Sequence, residues 1–245
     1  MKDLENIEPK LMQVLEQFVA LKMHDAEFVA WKLATETSAA YINRHMASVR
    51  MFTTKTATPK NDIEGKNYLL DHCIRNVTVD NGLFLEFGVH EGRSINFISS
   101  VLPKEKLVHG FDSFEGLPGE WLFGRGKGHF SLGGELPPVK ENVRLHKGWF
   151  DQTLPEFLKK NPEPFAFVHI DCDLYSSTRD ILNLAKDRFV PGTIIAFDEY
   201  FNYPGWEQHE YKAFQEFMAA SKLKYEYIGC APRHYSVAVK LFARS

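Results

Sequence analysis

The feature of this sequence that most constrains its fold is a regular alternation of short apolar runs with helical segments, which begins at Gly82. Strands that alternate with helices indicate βαβ units and a parallel sheet covered by helices on both faces. The runs that we predict as strands are Leu83–Phe87, Leu107–Phe111, Val143–His146, Phe165–Ile170, Thr193–Phe197, Tyr225–Ile228 and Ser236–Leu241. The last two are expected to pair as an antiparallel edge. We therefore predict an α/β fold with a doubly wound, mostly parallel sheet of seven strands.

The N-terminal part differs from the rest, because the first 50 residues contain no glycine. Apolar residues between Leu11 and Leu21 recur at helical spacing, and further helices are expected over Ala26–Met46 and Ile63–Val77. We interpret residues 1–61 as a helical extension that forms a lid or an oligomer contact, and residues 62–245 as the main domain. Shorter helices are expected between the strands, over Ser94–Val101, Leu154–Lys160, Ser177–Arg188 and Glu207–Ser221.

The composition excludes several classes of partner. Lys and Arg number 29 against 32 Asp and Glu, which gives a net charge of −3. This balance provides no broad basic surface for nucleic acid, and no apolar run reaches the length of a membrane span. Cys73, Cys172 and Cys230 are too few and too scattered for a disulfide framework. Since the N-terminus also lacks the apolar stretch of a signal peptide, we expect a cytoplasmic protein.

A glycine loop follows the first predicted strand, in the run Glu86-Phe-Gly88-Val-His-Glu-Gly92-Arg-Ser94. Ligands of open α/β sheets bind beyond the carboxyl ends of the strands, and glycines there allow close backbone approach. The Gly-x-x-x-Gly spacing differs from the dinucleotide fingerprint. Glu86 would repel a pyrophosphate but suits a ligand that carries an ammonium group. Ser94 is expected to cap the following helix. A glycine turn without a ligand remains the alternative.

Asp112 and Ser113 follow the second predicted strand, and Asp112 lies 24 positions beyond Gly88. This is close to the ~20 positions expected for an acid that binds ribose hydroxyls. Together with Glu86, Asp112 indicates a nucleoside without phosphate that carries an amino acid, which is S-adenosylmethionine. Trp149 and Phe150 follow the third strand, where they either contact an adenine ring or belong to the core.

Three acids follow the fourth and fifth predicted strands, namely Asp171, Asp198 and Glu199. Because adjacent parallel strands end at the same edge of a sheet, we expect these carboxylates to converge. Three hard oxygen ligands suit Mg²⁺, Ca²⁺ or Mn²⁺. The alternative is that they are helix caps or solvated turn residues.

Several motifs, taken in order, resemble the macrocin O-methyltransferase family: FLEFGVHEGRS, FDSFEGLPG, GWFDQTLP, FVHIDCDLYSST and GTIIAFDEY. The resemblance covers roughly Asn81 to Leu241. It implies a Rossmann-like, class I enzyme that uses S-adenosylmethionine to methylate sugar hydroxyls in antibiotic biosynthesis. It also implies a divalent metal, usually Mg²⁺, at positions that match Asp171, Asp198 and Glu199. The family usually has Asp at the third position, so Glu199 is a departure.

We therefore predict a metal-dependent O-methyltransferase for a hydroxyl of a sugar or other small natural product. Asp171 is expected both to bind the metal and to accept the proton of the hydroxyl, and the glycine-rich segment Leu117–Pro138 is expected to act as a lid. A metal-independent or regulatory homologue that binds S-adenosylmethionine is the alternative. An NAD-dependent oxidoreductase is disfavoured by the loop spacing. The apolar N-terminal helices lead us to expect a homodimer or larger homo-oligomer.

Overall fold

The computed structural model describes residues 25–53, 63–122 and 124–244. The helices in these ranges are α1 (Ala26–His45), α2 (Ile63–Arg75), α3 (Arg93–Val101), α4 (Phe150–Lys160), α5 (Tyr175–Leu184) and α6 (Glu210–Ala220). The strands are β1 (Leu83–Phe87), β2 (Val108–Asp112), β3 (Val143–Lys147), β4 (Phe165–Ile170), β5 (Ile194–Phe197), β6 (Leu223–Ala231) and β7 (Ser236–Ala243). The helix expected between Leu11 and Leu21 lies outside the described residues.

All seven strands form one sheet in the order β3-β2-β1-β4-β5-β7-β6. The first five strands pair in parallel, and β7 pairs antiparallel with both β5 and β6. This confirms the predicted fold class. The strand order reverses between β1 and β4, and a doubly wound sheet opens a crevice for ligands at such a point.

Helices cover both faces of the sheet, and each face carries its own apolar core. On one face, Leu69 of α2 and Ile95 of α3 pack with Phe84 and Phe167. On the other face, α4, α5 and α6 pack over Phe87 and the central strands. All six residues of β4 are buried, as expected for a central strand covered on both sides.

The predicted helix boundaries differ from the structure mainly at helix starts. Helix α4 begins at Phe150, four residues before the predicted start, and α5 begins at Tyr175. The predicted segment Glu207–Ser221 begins as a 3₁₀ turn, and α6 itself starts at Glu210. The first turns of α4 and α5 supply side chains to a cavity, so they lack the apolar periodicity on which the prediction depended.

Helix α1 packs against its own chain beside the segment that follows β5. The Asn202 backbone N–H donates to the Ser38 hydroxyl at 2.8 Å, and Tyr41 and Tyr227 are joined through their hydroxyls. Trp31 also packs on this core. Among the residues that the structure describes, no helix is both long enough and apolar enough to cross a membrane.

Candidate cofactor and acid site

A cavity of about 550 Å³ opens beyond the carboxyl ends of the parallel strands, within the usual range for a small-molecule site. The predicted site residues that line it are Gly88, Ser94, Asp112, Ser113, Trp149, Phe150, Asp171 and Glu199. Glu86, Gly92 and Asp198 are absent from its lining, although Gly92 begins the turn into α3. Eight of the eleven residues that the sequence predicted for the site therefore lie on this wall.

Gly88 is the point at which the loop after β1 touches the end of β4. Its φ is +88°, and a Cβ atom there would overlap the Asp171 carbonyl oxygen and lie 2.6 Å from the carbonyl carbon. The contact is fixed from both sides, since Gly88 N–H donates to the Phe111 carbonyl at 2.9 Å and Asp171 N–H donates to the Phe87 carbonyl at 2.8 Å. The loop that follows β1 and the end of β4 at Asp171 are consequently held together by backbone contacts.

The Asp112 carboxylate organises the same loop from the end of β2. One oxygen accepts the backbone N–H groups of Val89 and His90, each at 2.8 Å, and the other accepts that of Phe114 at 2.7 Å. A carboxylate has about four acceptor positions, so these three bonds leave room for a further donor from the cavity. Its predicted role in holding a ribose remains a prediction.

Glu86 requires a correction, because it does not face the cavity. The residue is 0% exposed, and its carboxylate accepts from His169 Nδ1 at 2.9 Å and from the Ser94 hydroxyl at 3.1 Å. Burial raises the pKa of Glu86. For His169, burial opposes the charge, but hydrogen bonds to Asp198 and Glu86 outweigh it and raise its pKa to about 9. Glu86 therefore pairs with a buried histidine rather than with a ligand's ammonium group.

Asp171 and Asp198 do converge, and a lysine that the sequence prediction missed lies between them. The Lys66 ammonium on α2 donates to Asp171 Oδ2 at 2.9 Å and to Asp198 Oδ2 at 2.7 Å. Burial alone would raise the pKa of Asp198, but the Lys66 ammonium holds it well below its usual range. The second oxygen of Asp198 accepts from the Ser236 hydroxyl at 3.0 Å.

A sequence signal for Lys66 did exist. Lys66, Leu69, Leu70 and Cys73 are spaced i, i+3, i+4 and i+7, which is the stripe of one helix face. All four are buried in the structure. A lysine is rarely buried with the apolar residues of a helix face unless it pairs with a buried acid.

The predicted metal site of three acids requires a second correction, because Glu199 is not grouped with Asp171 and Asp198. The metal-capable group within the described ranges is His169, Asp171 and Asp198, whose ligand atoms lie within 4.8 Å of one another. Glu199 instead lines the cavity, and its Oε2 is buried without a hydrogen-bond partner among the described residues. Burial and the nearby Asp198 raise the pKa of Glu199 well above its usual range.

These donors fit a divalent ion in their chemistry. Two carboxylate oxygens already converge on one cation, and a third carboxylate, Glu199, has an unpartnered oxygen nearby on the cavity wall. Carboxylates are the ligands that Mg²⁺ prefers in proteins. Asp171 and Asp198 would hold such an ion, with Lys66 as the group that has to make room for it.

The segment that follows β2 closes one side of the cavity. Leu117 and Phe130 both line it, and the segment is tied to itself by the Leu117 N–H, which donates to the His129 carbonyl at 2.9 Å. The ring of Phe130 also contacts that of His90 in the cofactor loop, with ring centroids 5.5 Å apart. Its role as a moving lid remains a prediction.

Residues 85–200 match the family model described as a methyltransferase domain. This segment of the chain is therefore similar to methyltransferase domains. This confirms the resemblance that the motifs indicated, and the matched residues run from β1 to Tyr200, directly after Glu199. They thus include both the glycine loop after β1 and the Asp171–Asp198 pair.

Two curated relatives and one solved structure are similar to this chain. An 8-demethyl-8-(2,3-dimethoxy-alpha-L-rhamnosyl)-tetracenomycin-C 4'-O-methyltransferase from Streptomyces olivaceus is 30% identical over 167 residues, or 54% of this chain and 58% of that protein. A mycinamicin III 3''-O-methyltransferase from Micromonospora griseorubida is 28% identical over 157 residues, or 54% and 61%. The chain thus spans about three fifths of each relative. The crystal structure of CalS11, a calicheamicin methyltransferase, superposes with a TM-score of 0.58 at 22% identity, covering 72% of this chain and 79% of that one.

Proposed function

We propose that this protein transfers a methyl group from S-adenosylmethionine to a hydroxyl of a sugar or another small natural product. The observation that carries the proposal is the contact between Gly88 and Asp171 in the wall of one cavity. It joins a loop suited to the cofactor to a carboxylate that can accept a proton. The names of the two curated relatives, both O-methyltransferases of natural products, support the class of acceptor.

The chemistry of the bound cofactor is simple, because the sulfonium of S-adenosylmethionine makes its methyl carbon electrophilic. The protein then has to align an acceptor oxygen with that carbon and remove the hydroxyl proton. Asp171 is the carboxylate proposed as the proton acceptor, because it lines the cavity beside Gly88. Lys66 holds one oxygen of Asp171 and so fixes its orientation.

The proposed cofactor contacts come from three loops. The backbone around Gly88 and the side chain of Ser94 face the amino-acid part, and Asp112 faces the ribose. Trp149 and Phe150, on the far wall, offer aromatic surface to the adenine ring. Glu86 is fully buried, so we propose that Asp171, one of the carboxylates that line the cavity, also meets the cofactor's ammonium group.

We further propose that the reaction uses a divalent ion, probed as Mg²⁺, held by Asp171 and Asp198. Such an ion would bind the acceptor oxygen and lower its pKa. Metal-independent binding of S-adenosylmethionine is the second candidate, and a specific observation favours it: the Lys66 ammonium already lies between the two carboxylates and contacts both.

We propose that the protein is cytoplasmic and forms a homodimer. The free, buried thiols of all three cysteines support a reducing location. Trp31 and Tyr41 of α1 pack on their own chain and do not support a dimer. The support comes from Leu33 on the same helix, an apolar residue that is 58% exposed. Light scattering at micromolar concentration tests this, and a monomer there would exclude the dimer.

Thermal shift and turnover test the function directly. S-adenosylhomocysteine should raise the melting temperature and NAD should not, because a ligand stabilises only the fold that it binds. Transfer of a labelled methyl group to a deoxysugar-bearing natural product, with and without EDTA, then tests the reaction and its metal dependence. Stabilisation by NAD but not by S-adenosylhomocysteine would refute the proposal, and full turnover in EDTA would select the metal-independent candidate.

A further inference from the structure

The Lys66 ammonium occupies the position between Asp171 and Asp198 at which a cation would bind. Its nitrogen contacts the Oδ2 atom of each carboxylate, at 2.9 and 2.7 Å. Lys66 is 9% exposed, so these are buried, charge-assisted bonds rather than a surface ion pair. The ammonium is therefore an ordered, buried component of the Asp171–Asp198 site.

The backbone of Lys66 has little freedom to carry the ammonium away. Leu69, one turn further along α2, packs so closely on β6 that a Cβ atom at Gly229 would lie 2.7 Å from its side chain. Leu70 and Cys73 of the same stripe are fully enclosed in the core. Because this face of α2 is closely packed, we expect release of the ammonium to come from rotation of the flexible lysine side chain.

An ion bound to the same two Oδ2 atoms would need the position that the ammonium holds. The other oxygen of Asp198 faces the Ser236 hydroxyl at 3.0 Å, His234 Nδ1 at 3.4 Å and His169 Nε2 at 3.9 Å. An ion such as Mg²⁺ needs oxygen ligands at about 2.0–2.1 Å. It would have to enter between the two carboxylates, where it would meet a like charge.

We propose that Lys66 and a divalent ion are alternative occupants of the Asp171–Asp198 pair, so that the ion binds only when the ammonium leaves both carboxylates. This rests on the proposed function in one respect, namely that this pair is the ion's site. The lysine then makes ion binding weak and keeps the two carboxylates oriented when no ion is bound. Once displaced, the ammonium remains at the cavity, which Lys66 lines.

Direct Mn²⁺ binding tests the competition without any turnover. The free-ion signal in electron paramagnetic resonance would be titrated with wild type, Lys66→Met, Lys66→Gln and Lys66→Arg at mildly alkaline pH. The two neutral variants should bind Mn²⁺ on the order of tenfold or more tightly than wild type, a typical size for coupling between two ligands. Lys66→Arg keeps the charge and should bind no more tightly than wild type.

Two controls separate this competition from a general effect of charge. Lys159→Met removes one positive charge from an exposed position on α4, with the side chain 70% exposed, and should leave Mn²⁺ affinity unchanged. Adding Asp198→Asn to Lys66→Met should remove the gain. Because Mn²⁺ should also raise the melting temperature of Lys66→Met more than that of wild type, a destabilised variant still gives a readout.

Equal Mn²⁺ affinity in wild type and both neutral variants would overturn the proposal. Weaker binding by the neutral variants, or no binding by any form up to millimolar Mn²⁺, would overturn it as well. Stabilisation by S-adenosylhomocysteine is measured separately without metal, so failure of the competition and failure of the proposed function give different results.

Discussion

Replacing Gly88 with alanine is the sharpest test of the idea that the cofactor loop and Asp171 form one unit. The substitution adds a single methyl group, which would overlap the Asp171 carbonyl oxygen. A non-glycine residue at φ +88° also carries about 1–2 kcal/mol of backbone strain. Relief of the overlap must move one of the two backbone segments and weaken the backbone hydrogen bond of Gly88 or of Asp171. A buried group left unpaired in this way costs about 1–3 kcal/mol of stability. The expected loss of unfolding free energy is thus about 2–5 kcal/mol.

Gly128→Ala provides the matched control. Gly128 has a similar φ of +81°, but a Cβ atom there meets nothing within 4 Å among the described residues. The unfolding free energy of Gly128→Ala should fall only by the backbone strain of about 1–2 kcal/mol. In a chain of this size each kcal/mol of lost stability lowers the melting temperature by about 2–4 °C. Calorimetric titration should show S-adenosylhomocysteine affinity near wild type for Gly128→Ala. Gly88→Ala should lose about 100-fold or more, because the loop and Asp171 move together. If the two variants melt alike and bind alike, the contact does not constrain the site.

Three further expectations concern neighbouring groups. Asp112→Ala should weaken S-adenosylhomocysteine binding by about 1–3 kcal/mol by calorimetry, since charge-assisted bonds to the loop and the ribose are lost; unchanged affinity would remove it from the site. Asp198→Asn should lower turnover about a thousandfold or more while cofactor affinity stays nearly intact, because Asp198 does not line the cavity. Burial, with His146 and Arg144 nearby, lowers the pKa of His109 to about 4. Its contribution to stability is therefore present above pH ~6.5 and lost as the pH falls towards 4, so unfolding in urea should show a loss of about 1–2 kcal/mol between pH 7 and 5 that His109→Gln reduces.

The parts of the fold that the sequence predicted well are those that depend on local patterns. Strand β4 is a continuous apolar run, and the structure buries it on both faces. Gly88 directly follows β1 and Asp112 is the last residue of β2, so their positions at the carboxyl edge required no knowledge of strand order. Chain direction alone brings such residues to the same edge of a parallel sheet.

The parts that the sequence could not predict depend on which strands are neighbours and on which way side chains point. Glu86 meets His169 because β1 and β4 are adjacent and these two residues are paired in register. They are 83 positions apart in the chain. Glu199 follows Asp198 directly, but β5 ends at Phe197 and the chain bends at both residues, so strand alternation could not predict their directions. In the structure Asp198 faces Lys66, whereas Glu199 lies on the cavity wall.

The charge pattern around the acid pair explains how one site can hold so many buried carboxyls. Burial and neighbouring acids raise the pKa of Asp173, Glu199 and Glu210 well above the usual range, which favours their neutral forms. For Asp198 the balance is reversed, because the ammonium of Lys66 outweighs burial. The negative charge of Asp198 thus faces the Lys66 ammonium, while the neutral forms of the surrounding carboxyls do not repel it. Removing the lysine charge would disturb this division, because Asp198 would then either take up a proton or bind another cation. Ion binding and protonation should therefore compete in the neutral Lys66 variants, so their gain in Mn²⁺ affinity should grow as the pH rises.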